Sequence, residues 1–262
     1  MYCKFISAIL LLGISATLNC QTPNDINHVD AKGKKQGYWI KKYPDGQILY
    51  EGSFRDNKPV GEFKRYYEDG SLKSVLVYSD KKNEAFAEIY YPNGYIASKG
   101  LYVNQAKEGK WQFFSFSLKD TLISEEYYTK GKKNGLSVNY YPDGIIAEKL
   151  YYVNGVRHGE CLKYHESGAL NLRTRYENGQ LDGSFEAYYE NGNAEFIGQY
   201  KSNLKTGTWK LFKEDGELRF EIEYEAGMPK NRTLEIYETE RIDSLEKNIV
   251  KIPDPEKTQQ IW

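Results

Sequence analysis

From Gly37 onward, the apolar and polar positions of this chain recur with a beat of 24 residues. Units open at Gly37, Gly61, Ala85, Gly109, Gly135, Gly159, Gly183 and Gly207, with a decayed ninth opening at Asn231. Every spacing among the eight is 24 except the 26 from Gly109 to Gly135. Inside a unit the pattern has period two. With the opening residue as position zero, positions eleven to seventeen carry Ile48, Tyr50, Gly52 and Phe54 in the first unit, and Leu170, Leu172, Thr174 and Tyr176 in the sixth. The positions between them are polar, as in Asn171, Arg173 and Arg175. One apolar parity predicts a strand with a single buried face. Position seventeen is aromatic in all eight units (Phe54, Tyr78, Tyr102, Tyr128, Tyr152, Tyr176, Tyr200 and Tyr224), which makes it the clearest core position.

Position nine is Gly46, Gly70, Gly94, Gly144, Gly168, Gly192 and Gly216, each preceded by Asp, Asn or Ser. Proline at 44, 92 and 142 presets φ while the glycine takes the left-handed turn position. This chemistry predicts a three-residue hairpin loop closed by a glycine bulge. Such a loop pairs position six with ten and five with eleven. Aromatics fill both position five (Tyr66, Tyr90, Phe114, Tyr140, Tyr164, Tyr188, Phe212) and position two (Trp39, Phe63, Trp111, Phe185, Trp209), which have opposite parity. Bringing both into one core requires a bulge between them in the first strand, and the opening glycine marks that strand as irregular. The fold expected is all-β: an elongated meander of antiparallel hairpins, about eight units and sixteen strands. At a strand spacing of about 4.8 Å the ribbon is on the order of 75 Å long. No hairpin is stable alone, so each must bury its rings on the next.

Unit three has Ala85 and Ala87 at the glycine and aromatic positions, which predicts a looser junction. Unit four lacks the Asp-Gly tip and carries two extra residues within 115–121, which reads as loop drift.

The ends follow other rules. Residues 1–20 have the form of an export signal, with Lys4 ahead of the apolar run from Phe5 to Ile14. That run is too short to span a bilayer. Two outcomes compete at Cys20: lipidation at a box-like Thr17-Leu18-Asn19-Cys20, or plain cleavage close to Cys20-Gln21. Residues 21–32 form a polar linker, 33–237 the repeat array, and 238–262 a charged cap that would blunt an exposed sheet edge. Export places the protein in the periplasm, on the outer envelope or outside the cell.

Lys and Arg number 36 against 37 Asp and Glu, for a net charge of −1. Loss of the leader removes only Lys4, leaving 35 against 37, or −2. This balance makes no field for phosphate backbones and disfavours nucleic acid as a partner. A chain cut after Cys20 keeps Cys161 as its one thiol, so no internal disulfide is expected. Cys161 occupies an aromatic core position and reads as a small buried hydrophobe. His28, His158 and His165 have no metal-pair spacing, and neither a nucleophile elbow nor a phosphate loop occurs. No catalytic residue, cofactor or metal is assigned. One constellation suits binding: the position-six row Tyr43, Tyr67, Tyr91, Tyr141, His165 and Tyr189, expected on the face away from position five. The alternative is that these rings shield backbone and pair across strands.

The unit Gly-x-Trp-x-x-Tyr-Tyr-x-Asp-Gly, followed by Tyr and by Gly131-Lys132-Lys133-Asn134-Gly135 at a unit boundary, resembles the variant MORN repeat of bacteria over residues 33–237. The resemblance implies a single-sheet repeat that acts as a scaffold for protein or lipid contact, and many relatives carry an antitoxin-like label. An antitoxin acts in the cytoplasm, against which the leader argues. The expected role is therefore a non-catalytic envelope scaffold that binds another envelope protein. Binding of cell-wall glycan is the alternative, and any membrane contact would run only through a lipid on Cys20.

Overall fold

The computed structural model describes residues 26–79 and 83–230. Among these residues there are eighteen strands and no helix. Each strand pairs antiparallel with its neighbours in sequence, from the two-residue strand His28–Val29 to the two-residue strand Met228–Pro229. The sixteen strands between them build the eight predicted hairpins in one open sheet. The leader, Cys20 and the C-terminal cap lie outside the described residues, and the described end of the linker pairs His28–Val29 with Lys35–Gln36.

Two turn types alternate along the meander. At the tips, Tyr43 N–H donates to Gln47 O (2.8 Å) and Gly46 N–H to Tyr43 O (3.0 Å), with Gly46 at φ 94°. This is the expected three-residue loop, with position six opposite ten. Asp45 Oδ1 accepts the Gln47 N–H at 3.0 Å, and Asp69, Asn93, Asp143, Asn191 and Asp215 repeat that bond. The carboxylate or amide before the glycine thus satisfies a backbone donor that the turn would leave bare. On the opposite edge, hairpins other than units two and three, where Ser79 N–H donates to Glu84 O at 3.1 Å, join through two-residue turns with both residues left-handed, as at Asn154 (φ 52°) and Gly155 (φ 87°). Such turns follow the right-handed twist of the strands they connect.

The ladders settle the strand register. Position five pairs with eleven, as in Tyr66 with Leu72, which is the predicted pairing. Position four then pairs with thirteen (Arg65 with Ser74), so position twelve is the extra residue. The bulge therefore lies in the second strand, next to the tip, in all eight hairpins. This corrects the expectation of a bulge between positions two and five. Those two positions face opposite sides, and one extra residue at twelve moves eleven to the outer face while thirteen, fifteen and seventeen face the core. Alternation alone shows that a parity break exists but not which strand absorbs it.

A second irregularity falls at the opening glycine. Gly52 pairs with Phe63 and Ser53 with Val60, so Gly61 (φ 64°) and Glu62 bulge against the preceding hairpin. At unit three the opening residue is Ala85, and its ladder runs unbroken from Ser74–Ile89 to Tyr78–Ala85. A side chain at the opening position disfavours the left-handed backbone the bulge requires, and the strand stays regular. The junction expected to be loose is instead regular over its described residues, with Ala85 and Ala87 both buried.

The inner face carries the core. Trp111, Phe185 and Trp209 at position two are fully buried, and Tyr102, Tyr128, Tyr176, Tyr200 and Tyr224 at position seventeen are buried beside them. Rings interlock mainly edge to face: Tyr200 lies 5.1 Å from Trp209 at 86°, and Phe54 lies 5.5 Å from Phe63 at 89°. Two apolar clusters result, one spanning Phe63 to Tyr128 and one spanning Leu150 to Tyr224. A polar seam separates them. In it, Ser124 Oγ donates to Asn139 Oδ1 (2.9 Å), Asn139 Nδ2 donates to Glu148 Oε2 (2.9 Å), and Glu126 accepts from both Tyr128 Oη and Lys133 Nζ.

Candidate functional site

The position-six row forms a strap along the tips. Tyr43 Oη donates to Tyr66 O at 2.9 Å, Tyr67 to Tyr90 O at 2.7 Å, Tyr91 to Phe114 O at 3.1 Å, Tyr141 to Tyr164 O at 2.7 Å and Tyr189 to Phe212 O at 3.0 Å. His165 Nε2 meets Tyr188 O at 3.0 Å, a contact that requires the proton on Nε2. Each bond joins position six of one unit to the carbonyl of position five in the next. All six side chains are half-buried, and burial pushes the phenols of Tyr43, Tyr91 and Tyr141 upward. Their polar ends are thus occupied within the chain, and what they present outward is ring surface. The row is interrupted at unit four, where the longer loop replaces the tyrosine with Ser115 and exposes Phe116 and Leu118.

The outer face is a lattice of charge and phenol. Glu51 accepts from Tyr66 Oη (2.6 Å) and Tyr38 Oη (2.8 Å), bonds that hold its carboxyl below the usual range against the opposing effect of burial. Glu125 meets Lys110 at 2.6 Å, and Arg173 reaches Glu160 at 3.4 Å. Val77, Phe86, Tyr127 and Tyr151 stand exposed on the same face.

On the inner face a cation row accompanies the aromatics. Lys35 lies 4.6 Å from the Trp39 ring and 4.8 Å from Phe54, Lys107 lies 4.8 Å from Trp111 and 5.0 Å from Tyr128, and Lys205 lies 5.0 Å from Trp209 and 5.1 Å from Tyr224. Lys133 sits over Tyr152 and Arg157 over Tyr176. All five precede a unit opening by two residues, and each shields the rim of a position-seventeen ring. Sequence reading passed over this row because lysines in polar turns look like solvated surface. The recurring Lys or Arg two places before the glycine was the available signal.

Pro59 and Asn83 take that place in units two and three. There the inner face opens into a groove of about 850 Å³, with Lys35, Lys58, Arg65 and the rings of Tyr50, Phe54 and Tyr78 among its lining.

Cys161 is buried as predicted, and its thiol is pushed up to about 12, chiefly by burial and then by Glu148. At neutral pH it is therefore held as the neutral thiol. His158 faces Glu177 at 3.7 Å, and no cluster of three metal-ligating side chains occurs among the described residues.

Sequence comparison identifies this repeat. The family model of the MORN repeat variant matches residues 35–56, 59–80, 133–154, 157–178, 181–202 and 205–226. Units three and four fall between the second and third matches, and these carry the alanine substitutions and the longer tip. No curated protein matches the chain. Among solved structures, a point mutant of S. aureus TarM in complex with fondaparinux, alpha-GlcNAc-glycerol and UDP is 14% identical over 37% of this chain and 19% of that one, with a TM-score of 0.28. The Photorhabdus luminescens Tc holotoxin pore, carrying a mutation in TccC3, is 11% identical over 71% of this chain and 11% of that one, with a TM-score of 0.17. The chain thus spans less than a fifth of either structure.

Proposed function

The chain belongs to the MORN repeat variant family, and from that premise we propose that it is a non-catalytic scaffold of the cell envelope that binds another protein through the inner face of its sheet. One observation carries this reading. The repeat uses its aromatics, cations and tip tyrosines for its own cohesion, yet across units one to three the inner face also leaves a groove of about 850 Å³ lined by rings and charges. A groove of that volume falls in the range of ligand-binding clefts. The export-like residues 1–20 support an envelope location, with Cys20 either lipidated or lost with the leader. They also argue against an antitoxin-like role, which requires a cytoplasmic target.

The test is capture from envelope fractions by the exported chain, with cross-linking before solubilisation, run beside binding to purified cell-wall sacculi. A discrete cross-linked protein, found with the wild-type chain and reduced when groove residues are changed, is the expected result. Retention on sacculi without any cross-linked protein would replace this reading with glycan binding.

A further inference from the structure

The groove lies where the cation row is interrupted, and its charge is one-sided. Among the described residues, Lys35, Lys58 and Arg65 line it against a single carboxylate, Glu84, which meets Ser79 Oγ at 3.5 Å. Arg65 stands out among these cations. It sits at position four, opposite Tyr50 and Ser74 in the two ladders, where four other units place Ile89, Phe113, Ala187 and Leu211. A half-buried guanidinium thus stands where those units put a core residue. Tyr43, Tyr50 and Tyr78 lie around it with a second cation, Lys73, near enough to feel its charge, and burial lowers its proton affinity. No carboxylate among the described residues reaches it, whereas Arg173, on the outer face, has both Glu160 and Glu186 within 4.0 Å. Five donors in a planar fork, held at the wall of an aromatic groove, match a carboxylate presented edge-on.

We propose that this groove docks an extended acidic segment of a partner protein, one carboxylate of which pairs with Arg65 while its methylene stem packs on Phe54 and Tyr78. The proposal rests on the scaffold reading above and names the chemistry of the partner. Ring geometry favours a peptide over an acidic sugar. Phe63 meets both Phe54 (89°) and Tyr78 (88°) edge to face and lies at 31° only to Tyr50, so most of the ring surface in the groove is edges and narrow faces rather than one broad platform for a pyranose. Lys58, exposed at the rim, and Lys35, which donates to Tyr50 Oη at 3.1 Å, add the positive field that would orient neighbouring acidic residues of the segment.

Three fluorescein-labelled probes test this against the full exported chain by anisotropy: a ten-residue Glu/Gly peptide, the same peptide with every Glu changed to Gln, and an oligogalacturonate of similar charge. The Glu peptide is expected to bind, to weaken at least tenfold with Arg65→Met and severalfold with Lys58→Glu, and to be unaffected by Arg173→Met. The Gln peptide is expected not to bind. Arg65→Met replaces a half-buried charge with an apolar chain at a position that is apolar in four other units, and Lys58 is exposed, so both variants retain the fold; circular dichroism checks this. Equal binding to wild type and Arg65→Met, equal binding by the Gln peptide, or tighter binding by oligogalacturonate overturns the proposal. Envelope capture undiminished by Arg65→Met would sink this site while leaving the scaffold reading in place. Loss of all capture by the wild-type chain would sink the scaffold reading itself.

Discussion

At Gly198 the missing side chain lets Trp209 lie directly against the neighbouring strand, because a Cβ built there would overlap the indole. Gly100 stands in the same relation to Trp111, and Gly52 to Phe63. Where position fifteen is large, the facing position two is small: Leu76 pairs with Ala87, and Leu150 with Cys161. Residue volume is therefore balanced across these five junctions, and Ala87 is a compensated exchange. Gly198→Ala should destabilise the protein by about 1–3 kcal/mol through overpacking, read from denaturant midpoints at constant slope. Ala87→Phe should cost a similar amount, and adding Leu76→Gly should recover part of it, giving a coupling of roughly 1–3 kcal/mol in a double-mutant cycle. Additive effects would show that the two side chains do not share one space. Titration offers a second probe at this scale. The carboxyl of Glu51 is held low by Tyr66 first and then by Tyr38, against burial. Its folded pKa lies below its unfolded one, so its contribution is present at neutral pH and fades as pH falls through the depressed value. Glu51→Gln should therefore be less stable than wild type near pH 7 and converge with it in acid, as followed by thermal melts across that range.

Each hairpin is bound to the next by ladder hydrogen bonds, interlocked rings and the position-six strap. Tyr141→Phe removes one strap bond, the 2.7 Å contact to Tyr164 O, and leaves that carbonyl short of a donor. A loss of about 0.5–1.5 kcal/mol is expected, with faster amide exchange around Tyr164, and an unchanged exchange pattern would mean that water replaces the phenol without cost. Much of this element was legible in the sequence. The tip loop follows from Pro-Asp-Gly, the pairing of five with eleven follows from that loop, and the buried face of position seventeen follows from eight aromatics in register. The bulge at position twelve was not legible as to strand, because two strands of opposite parity can each restore alignment by gaining a residue. Nor was the backbone bond of position six, since a tyrosine that donates to the next unit's carbonyl has the same sequence signature as one that does not. Arg65 was hidden for a related reason: a lone arginine in a strand looks solvated until the ladder places it on the inner face.

Across the whole molecule, neighbour contacts set stability, so the weakest junction decides how the sheet opens. The seam between the Phe63–Tyr128 and Leu150–Tyr224 clusters is expected to be that junction, because no apolar cluster spans it. Glu126, Ser137, Asn139 and Glu148 are buried there, at positions that carry Ile222, Trp209, Leu211 and Phe220 in the eighth unit. Their hydrogen bonds offset the desolvation of these groups but add little of the apolar burial that couples hairpins elsewhere. The backbone ladder continues across the seam, with a bulge at the opening Gly135 and another next to the tip, from Leu122–Thr129 through Lys132–Tyr140 to Ile146–Val153. The two halves should therefore remain joined in the native state yet unfold as separable units. Native-state hydrogen exchange should show one protection level for the strands around Trp111 and another for those around Trp209, converging only at high denaturant. Replacing Asn139 and Glu148 together with leucine would remove both members of a bonded pair and join the clusters with apolar contact. That double variant should merge the two levels and raise the midpoint, because a satisfied polar pair exchanged for packed hydrophobes is often neutral or stabilising. Either single change leaves one polar group buried without its partner and should lower stability by about 1–3 kcal/mol. A wild-type protein with a single protection level across both clusters would show that the ladder alone transmits cooperativity through the seam.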